Sequence, residues 1–192
     1  MKRIGLFGGS FDPVHLGHLL VAQAACEELS LDRLFFIPAS QSPFKPASQP
    51  TSAALRLRML RLALAGKSNY EIDPQELQRG GVSFTIDTVR DYAARFPGRE
   101  LCYLIGADHL PTLPKWRDAE TLARLVQFVV IPRPGEVVAP PAAPFRVRVL
   151  GGWPWQLSSS QIRARVQAGQ PVAHLLPPAV GEMIQQENLY RA

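Results

Sequence analysis

Residues 4–18 read Ile4-Gly5-Leu6-Phe7-Gly8-Gly9-Ser10-Phe11-Asp12-Pro13-Val14-His15-Leu16-Gly17-His18, and the chain continues through the helix-like stretch Leu19–Leu29. The apolar run Ile4–Phe7 predicts a strand, Gly8-Gly9 a turn, and Leu16–Leu29 a helix. A strand, a glycine turn and a helix start make an anion site. The first helical turn offers unpaired N–H groups and a positive dipole end, and glycines let a polyanion approach the backbone. His15 and His18, three residues apart, are predicted on the first helical turn with both imidazoles facing one small space, as neutral-to-cationic donors. No Gly-Lys-Ser/Thr follows, and the glycine spacing is not that of the dinucleotide fingerprint, so this is a third kind of phosphate motif.

Outward from this stretch, apolar and β-branched runs recur at Leu34–Ile37, Tyr70–Ile72, Leu101–Ile105, Phe128–Ile131 and Val147–Leu150. Helical patterns lie between most of them, at Ala53–Ala65, Thr85–Phe96 and Ala119–Leu125. The alternation predicts an α/β fold, a Rossmann-like doubly wound parallel sheet. In such a sheet ligands collect at the carboxyl ends of the strands near the switch in strand order, which brings Gly8-Gly9 and Gly106-Ala107-Asp108 to one crevice. Proline-rich stretches at Pro38–Pro50 and Pro132–Pro144 read as surface loops. After the last strand come two helices, Ser159–Gln167 and Pro178–Glu187. A single domain is expected, with residues 1–152 as the α/β core and residues 153–192 as a C-terminal helical segment.

The composition narrows the class. At 192 residues and 46% hydrophobic, the chain can bury a core without disulfide staples. Cys26 and Cys102 have no Cys-x-x-Cys partner and read as buried thiols in a reducing compartment. No apolar run approaches the ~18 residues of a membrane span or the apolar region of a signal peptide, so a cytoplasmic protein with no membrane partner is expected. The net charge of +5 is scattered rather than blocked, without aromatic–basic interleaving. That favours small phosphorylated ligands over nucleic acid. A metal centre is not expected: His15 and His18 lack the spacing of a metalloprotease pair, and His109, Asp108, His174 and the cysteines show no ligand spacing.

The segment Gly8–His18 resembles the first motif of nucleotidyltransferases with a His-x-Gly-His element, and most closely that of the bacterial nicotinate-mononucleotide adenylyltransferases. Four later segments resemble that family in the same order: Ser83–Thr88, Ile105–Asp108, Leu113–Trp116 and Ser158–Arg163. Asn188-Leu189-Tyr190 closes the resemblance, which therefore covers essentially the whole chain. It departs at Phe44, Val82 and Phe84, where the family usually has His, Pro and Tyr.

The resemblance implies adenylyl transfer from ATP to nicotinate mononucleotide, giving nicotinate adenine dinucleotide and pyrophosphate in NAD biosynthesis. Alternatives are a preference for the nicotinamide form, dual specificity, or another phosphorylated acceptor; a non-catalytic nucleotide-binding module is disfavoured by the presence of both histidines and Arg163. The implied ATP contacts are Gly8, Gly9, Ser10, Phe11, His18, Gly106, Asp108 at the ribose, and Ser159, Ser160 and Arg163 at the outer phosphates. His15, His18 and Arg163 are the implied catalytic residues, and Lys45, Thr85, Trp116 and Arg117 the mononucleotide contacts. Arg163 has an independent argument: an arginine in a first helical turn opposes the dipole, unless a bound anion is shared by the helix end and the guanidinium. Ser158–Ser160 alone predicts only an N-cap. Mg²⁺ is expected, carried mainly by the triphosphate. The sequence leaves the choice between monomer and homo-oligomer open.

Overall fold

The computed structural model describes residues 2–41, 43, 50–132, 143–153 and 156–191. Among them, six strands form one sheet: β1 (Arg3–Gly9), β2 (Leu31–Pro38), β3 (Tyr70–Ile72), β4 (Glu100–Gly106), β5 (Val126–Ile131) and β6 (Val147–Val149). The order is β3-β2-β1-β4-β5-β6 and every pairing is parallel. This is the doubly wound arrangement that the alternation predicts.

Side chains alternate faces along each strand. Ile4 and Leu6 of β1, Phe35 and Ile37 of β2, and Leu101, Tyr103 and Ile105 of β4 enter one apolar cluster. Phe7, Leu34, Phe36, Cys102 and Leu104 enter the other. Because both faces are covered, the strands read as nearly continuous apolar runs rather than as strict alternation. The first cluster is closed by α4 (Thr85–Arg95), the 3₁₀ segment Ala107–Lys115 and α5 (Ala119–Leu125). The second is closed by α1 (Leu16–Leu29), α2 (Ala53–Leu64), α6 (Ser159–Gln167) and α7 (Pro178–Gln186). Ile162, Val180, Met183 and Ile184 bury the last two helices on the same side as Phe7, Phe11 and Val14. The chain thus leaves β1 and its neighbour β4 toward opposite faces, opening the crevice at their carboxyl ends.

Two elements go beyond the sequence expectation. A short helix, α3 (Gln75–Arg79), stands on polar contacts: the Asp73 carboxylate accepts from the Gln75 backbone and side-chain nitrogens, each at 3.0 Å. Of the Leu113–Trp116 segment, loop-like in sequence, residues 113–115 belong to the 3₁₀ run with Pro111 and Pro114 inside it, and Trp116 caps its end. The i,i+3 bonding of a 3₁₀ turn tolerates these prolines where a long α-helix does not.

The turn that joins β1 to α1 is held from below by Arg56. This guanidinium, 2% exposed, donates to the backbone carbonyls of Ser10 (2.8 Å), Ala39 (2.8 Å) and Thr51 (2.9 Å). Burial lowers its pKa, and the charge of Asp12 and the Tyr190 phenol oppose that shift. Replacing Arg56 by Leu removes the donor from three carbonyls at once. Unsatisfied buried groups cost about 1–3 kcal/mol each, and three carbonyls lose their donor together. Arg56→Leu is expected to lower unfolding free energy by about 3–5 kcal/mol in a denaturant titration with unchanged slope. A loss below about 1 kcal/mol would mean that the three carbonyls find other donors.

Candidate active site

Gly8 and Gly9 are the last two residues of β1, so the turn begins at Ser10 rather than at the glycines. What demands glycine is close approach. A Cβ on Gly8 would lie 2.6 Å from the Tyr103 hydroxyl on β4, and one on Gly9 would lie 3.1 Å from the Phe11 ring. Phe11 itself turns through a left-handed conformation, φ 48°, which is uncommon for a bulky residue and needs a compensating anchor. The anchor is its ring, buried edge-on against Phe7 at 5.5 Å and against His18 at 5.0 Å. The Phe11 side chain is therefore a floor beneath the site.

His15 is the N-cap of α1 and His18 its third residue, a small correction to the prediction of both within the first turn. The two imidazoles stack, with centroids 3.7 Å apart and planes inclined by 25°. The His15 backbone N–H donates to His18 Nδ1 at 3.2 Å, so the proton of neutral His18 resides on Nε2. His15 is 3% exposed, and its Nδ1 has no hydrogen-bond partner among the described residues. Burial pulls the His15 pKa down to about 4, and burial together with the His15 charge pulls His18 well below its ordinary value. Both rings are thus neutral at pH 7, N–H donors rather than the cations that the sequence left open.

The N-terminus of α6 clamps onto the same turn. Ser158 caps the helix, its Oγ accepting from the Gln161 N–H at 3.2 Å while Gln161 Oε1 accepts from the Ser158 N–H at 2.8 Å. Ser159 Oγ donates to the Pro13 carbonyl at 2.9 Å, so this hydroxyl is engaged in holding the turn rather than offered to a phosphate. Arg163 begins the second turn of α6, not the first, which weakens the dipole argument made from the sequence. Its guanidinium nonetheless reaches back, Nη1 donating to the Asp12 carbonyl at 2.7 Å and Nη2 to Ser160 Oγ at 3.3 Å.

Across the crevice, β4 ends at Gly106, where a Cβ would meet Asp108 Oδ1 at 2.5 Å; Asp108 is exposed. Thr85 opens α4 and donates from Oγ1 to the Tyr103 hydroxyl at 3.4 Å. A cavity of about 110 Å³ is lined by Phe84, Thr85, Lys115, Trp116 and Arg117. Trp116 is fixed there by donation from Nε1 to Thr112 Oγ1 at 3.0 Å and by an edge contact with Phe128. The Arg117 guanidinium lies 4.7 Å over the Phe84 ring and 3.6 Å from Asp87. Three of the four predicted mononucleotide contacts, Thr85, Trp116 and Arg117, therefore share one pocket. The fourth, Lys45, and the departure Phe44 lie outside the described residues.

One supporting group was invisible in the sequence. Glu76, 4% exposed, accepts from Thr88 Oγ1 at 2.6 Å, and Arg79 donates to that same hydroxyl at 3.1 Å. Burial raises the Glu76 pKa against the opposing pull of Thr88, Ser83 and Arg79. Ser83 Oγ also accepts from the Ser40 N–H at 3.0 Å, tying the start of α4 to the end of β2. In the sequence Glu76 and Arg79 look like an ordinary exposed i,i+3 pair. Among the described residues no three His, Cys, Asp or Glu side chains come together as a metal site. Burial pushes both thiols, Cys26 and Cys102, up to about 11.

A family model described as cytidylyltransferase-like matches residues 6–165. The "probable nicotinate-nucleotide adenylyltransferase" of Gemmatimonas aurantiaca is 44% identical, with 98% of this chain and 92% of that protein aligned. The protein of the same description from Shouchella clausii is 42% identical over 99% and 97%. Among solved structures, Plasmodium falciparum nicotinic acid mononucleotide adenylyltransferase complexed with NaAD superposes with a TM-score of 0.77, at 18% identity over 99% of this chain and 98% of that one. At that identity the likeness speaks for the fold.

Gly17 links geometry to a measurement. A Cβ there would sit 3.0 Å from His15 Nδ1 and 3.1 Å from its Cε1, in a ring already stacked on His18. Alanine in a helix gains up to about 1 kcal/mol over glycine, which offsets the crowding in stability but not in ring position. Gly17→Ala is expected to keep its thermal midpoint within a few degrees while kcat falls by about tenfold, since sub-ångström misplacement of reacting groups is costly. Unchanged kcat would show that the His15 ring is not held in a functional position.

Proposed function

Because the chain belongs to the nicotinate-nucleotide adenylyltransferases within the cytidylyltransferase-like family, we propose that the crevice at the carboxyl ends of β1 and β4 binds ATP and nicotinate mononucleotide and joins them. The chain is a nucleotidyltransferase of NAD biosynthesis. An oxygen of the mononucleotide phosphate attacks the α-phosphorus of ATP, the bond from that phosphorus to the bridging oxygen breaks, and pyrophosphate leaves. The observation that carries this reading is the juxtaposition of two stacked neutral histidines with a clamped helix N-terminus at one strand end, and an aromatic cavity at the next.

The nucleophile is already an anion, so no general base is required; alignment and charge stabilisation are the whole task. His18 Nε2–H, with Nδ1 locked by a backbone donor, is a directional donor suited to the transferring phosphoryl oxygens. The orphaned Nδ1 of His15 beside it is a second group whose partner a phosphate can supply. Arg163, Ser160 and the backbone of Gly8–Phe11 are assigned to the triphosphate, and Gly106 and Asp108 to the adenosine side. Residues 153–192 thereby complete an ATP site whose core lies in residues 1–152. Thr85, Trp116 and Arg117 are assigned to the pyridine mononucleotide, and Lys45 is assigned to it on the resemblance alone. Mg²⁺ fits as a partner of the triphosphate, because Asp12, the carboxylate nearest the turn, already accepts from Thr51 and Tyr190. When bound, it would neutralise charge on the leaving pyrophosphate. The metabolic role fits the cytoplasm, and no helix among the described residues is long and apolar enough to cross a membrane.

His18→Ala tests the transition-state role. A donor aimed at the transferring group acts mainly in the transition state, so kcat is expected to fall about 10²–10³-fold while the KM for ATP changes little. Near-normal kcat with a raised KM would assign His18 to ground-state binding instead.

The acceptor is tested by pyrophosphate release across a panel of phosphorylated acceptors. Lys115 and Arg117 line the cavity and α4 begins at it, so an acid is favoured there over a neutral amide. With charge-assisted bonds about twice as strong as neutral ones, nicotinate mononucleotide is expected to exceed the nicotinamide form in kcat/KM by about tenfold or more. Equal values would leave adenylyl transfer standing and overturn the acid preference.

A further inference from the structure

After α7 the chain turns back on itself. Asn188 and Tyr190 both adopt left-handed backbone, φ 49° and 63°, a conformation that non-glycine residues rarely hold without compensation. The compensation comes from contacts with residues near the opposite end of the sequence. Leu189 and Tyr190 pack on the apolar cluster beneath α1 and α2, and the Tyr190 hydroxyl donates to Asp12 Oδ1 at 2.6 Å. The other carboxylate oxygen, Oδ2, accepts from the Thr51 N–H at 3.0 Å. Asp12 is 5% exposed, so its carboxylate is committed to these two donors. Its own main-chain carbonyl accepts from Arg163 Nη1 at 2.7 Å. A continuous path thus runs from the last turn of the chain, through the side chain and then the backbone of Asp12, to the guanidinium assigned to the outer phosphates of ATP.

We propose that Tyr190 is a positioning residue for adenylyl transfer: its hydroxyl fixes Asp12, and the Asp12 carbonyl aims Arg163 at ATP. This rests on the reading of Arg163 as an ATP-binding residue. Burial, and then the bond to Asp12, raise the Tyr190 pKa, so the phenol remains a donor through the neutral and mildly alkaline range. Tyr190 is assigned no substrate contact. It acts only through the turn, so its effect exists only while Arg163 is present to be aimed.

That dependence is the test. Initial rates are measured with ATP varied, well below the thermal midpoint of each variant, for Tyr190→Phe, Arg163→Ala and the double variant. Tyr190→Phe is expected to lower kcat/KM for ATP by about tenfold in the wild-type background and by less than about twofold in the Arg163→Ala background, as coupled neighbours are non-additive. Asp12→Asn, which keeps the shape but places an amide between the two donors, is expected to show the same loss and the same dependence on Arg163. It serves as the second probe should Tyr190→Phe fold poorly. Arg58→Ala breaks an exposed ion pair to Glu187 that holds the same tail, and is expected to leave kcat/KM unchanged. Equal losses from Tyr190→Phe in both backgrounds, no loss at all, or a matching loss from Arg58→Ala would overturn the positioning role. If Arg163→Ala itself leaves kcat/KM for ATP unchanged, the assignment of Arg163 fails and the proposal falls with it, an outcome distinct from the others because it appears in the single variant.

Discussion

The structure depends on how the carbonyls of one turn are satisfied. Between β1 and α1 the chain must change direction next to a polyanion site, and its inward carbonyls cannot be left bare in a buried setting. Arg56 takes Ser10, Arg163 takes Asp12 and Ser159 takes Pro13, so two helices far apart in sequence, α2 and α6, supply the three donors. Two of the three are arginines. The turn is thereby held from behind by positive charge that Asp12 offsets in part, and a buried or half-buried cation in low dielectric projects a stronger field than one in water. Stability and anion affinity come from the same contacts, which is why the C-terminal helices are packed on this face rather than elsewhere.

The parts of the fold that follow from side-chain periodicity were legible in the sequence. β3 at Tyr70–Ile72, α1 at Leu16–Leu29, α5 at Ala119–Leu125 and α6 at Ser159–Gln167 have the predicted bounds, because each is marked by an apolar pattern with a capping or breaking residue at its ends. The parallel, doubly wound sheet could be expected from the alternation of strands and helices, since parallel neighbours require crossovers. Elements held by polar contacts were not legible. In α3, Gln-Glu-Leu-Gln-Arg carries a single apolar residue, and the helix exists because Asp73 caps it and Glu76 finds Thr88 across a fold of the chain. No local pattern encodes a partner twelve residues away.

The site shows the same division. The residue types of Gly8–His18 announced anion chemistry, but their individual duties required coordinates. Phe11 turned out to be a buried anchor and Ser159 a clamp, and the glycines of β1 answer to Tyr103 and Phe11 rather than to backbone dihedrals. Arg56 and Asp12 were legible only as an arginine in an amphipathic helix and an acid before a proline. Their importance lies in long-range hydrogen bonds, which sequence spacing does not record.

The electrostatic state of the two histidines is the point at which fold and proposed chemistry meet. Stacked at 3.7 Å, with His15 buried and His18 half-buried, the rings cannot both be charged without severe repulsion, and both are driven neutral. An isolated pair of neutral imidazoles would be a poor anion site. Here the cationic charge is supplied by arginines at a distance, while the imidazoles supply direction. The backbone N–H of His15 occupies His18 Nδ1, which removes that nitrogen as a base and leaves Nε2–H as a fixed donor. A reaction that needed a proton removed would be badly served by this arrangement. One in which a phosphate attacks a phosphate needs only donors held still while negative charge moves across the transferring group. The rigidity of the turn, with the Ser10, Asp12 and Pro13 carbonyls tied and the two imidazoles stacked, is what such a reaction requires of a protein.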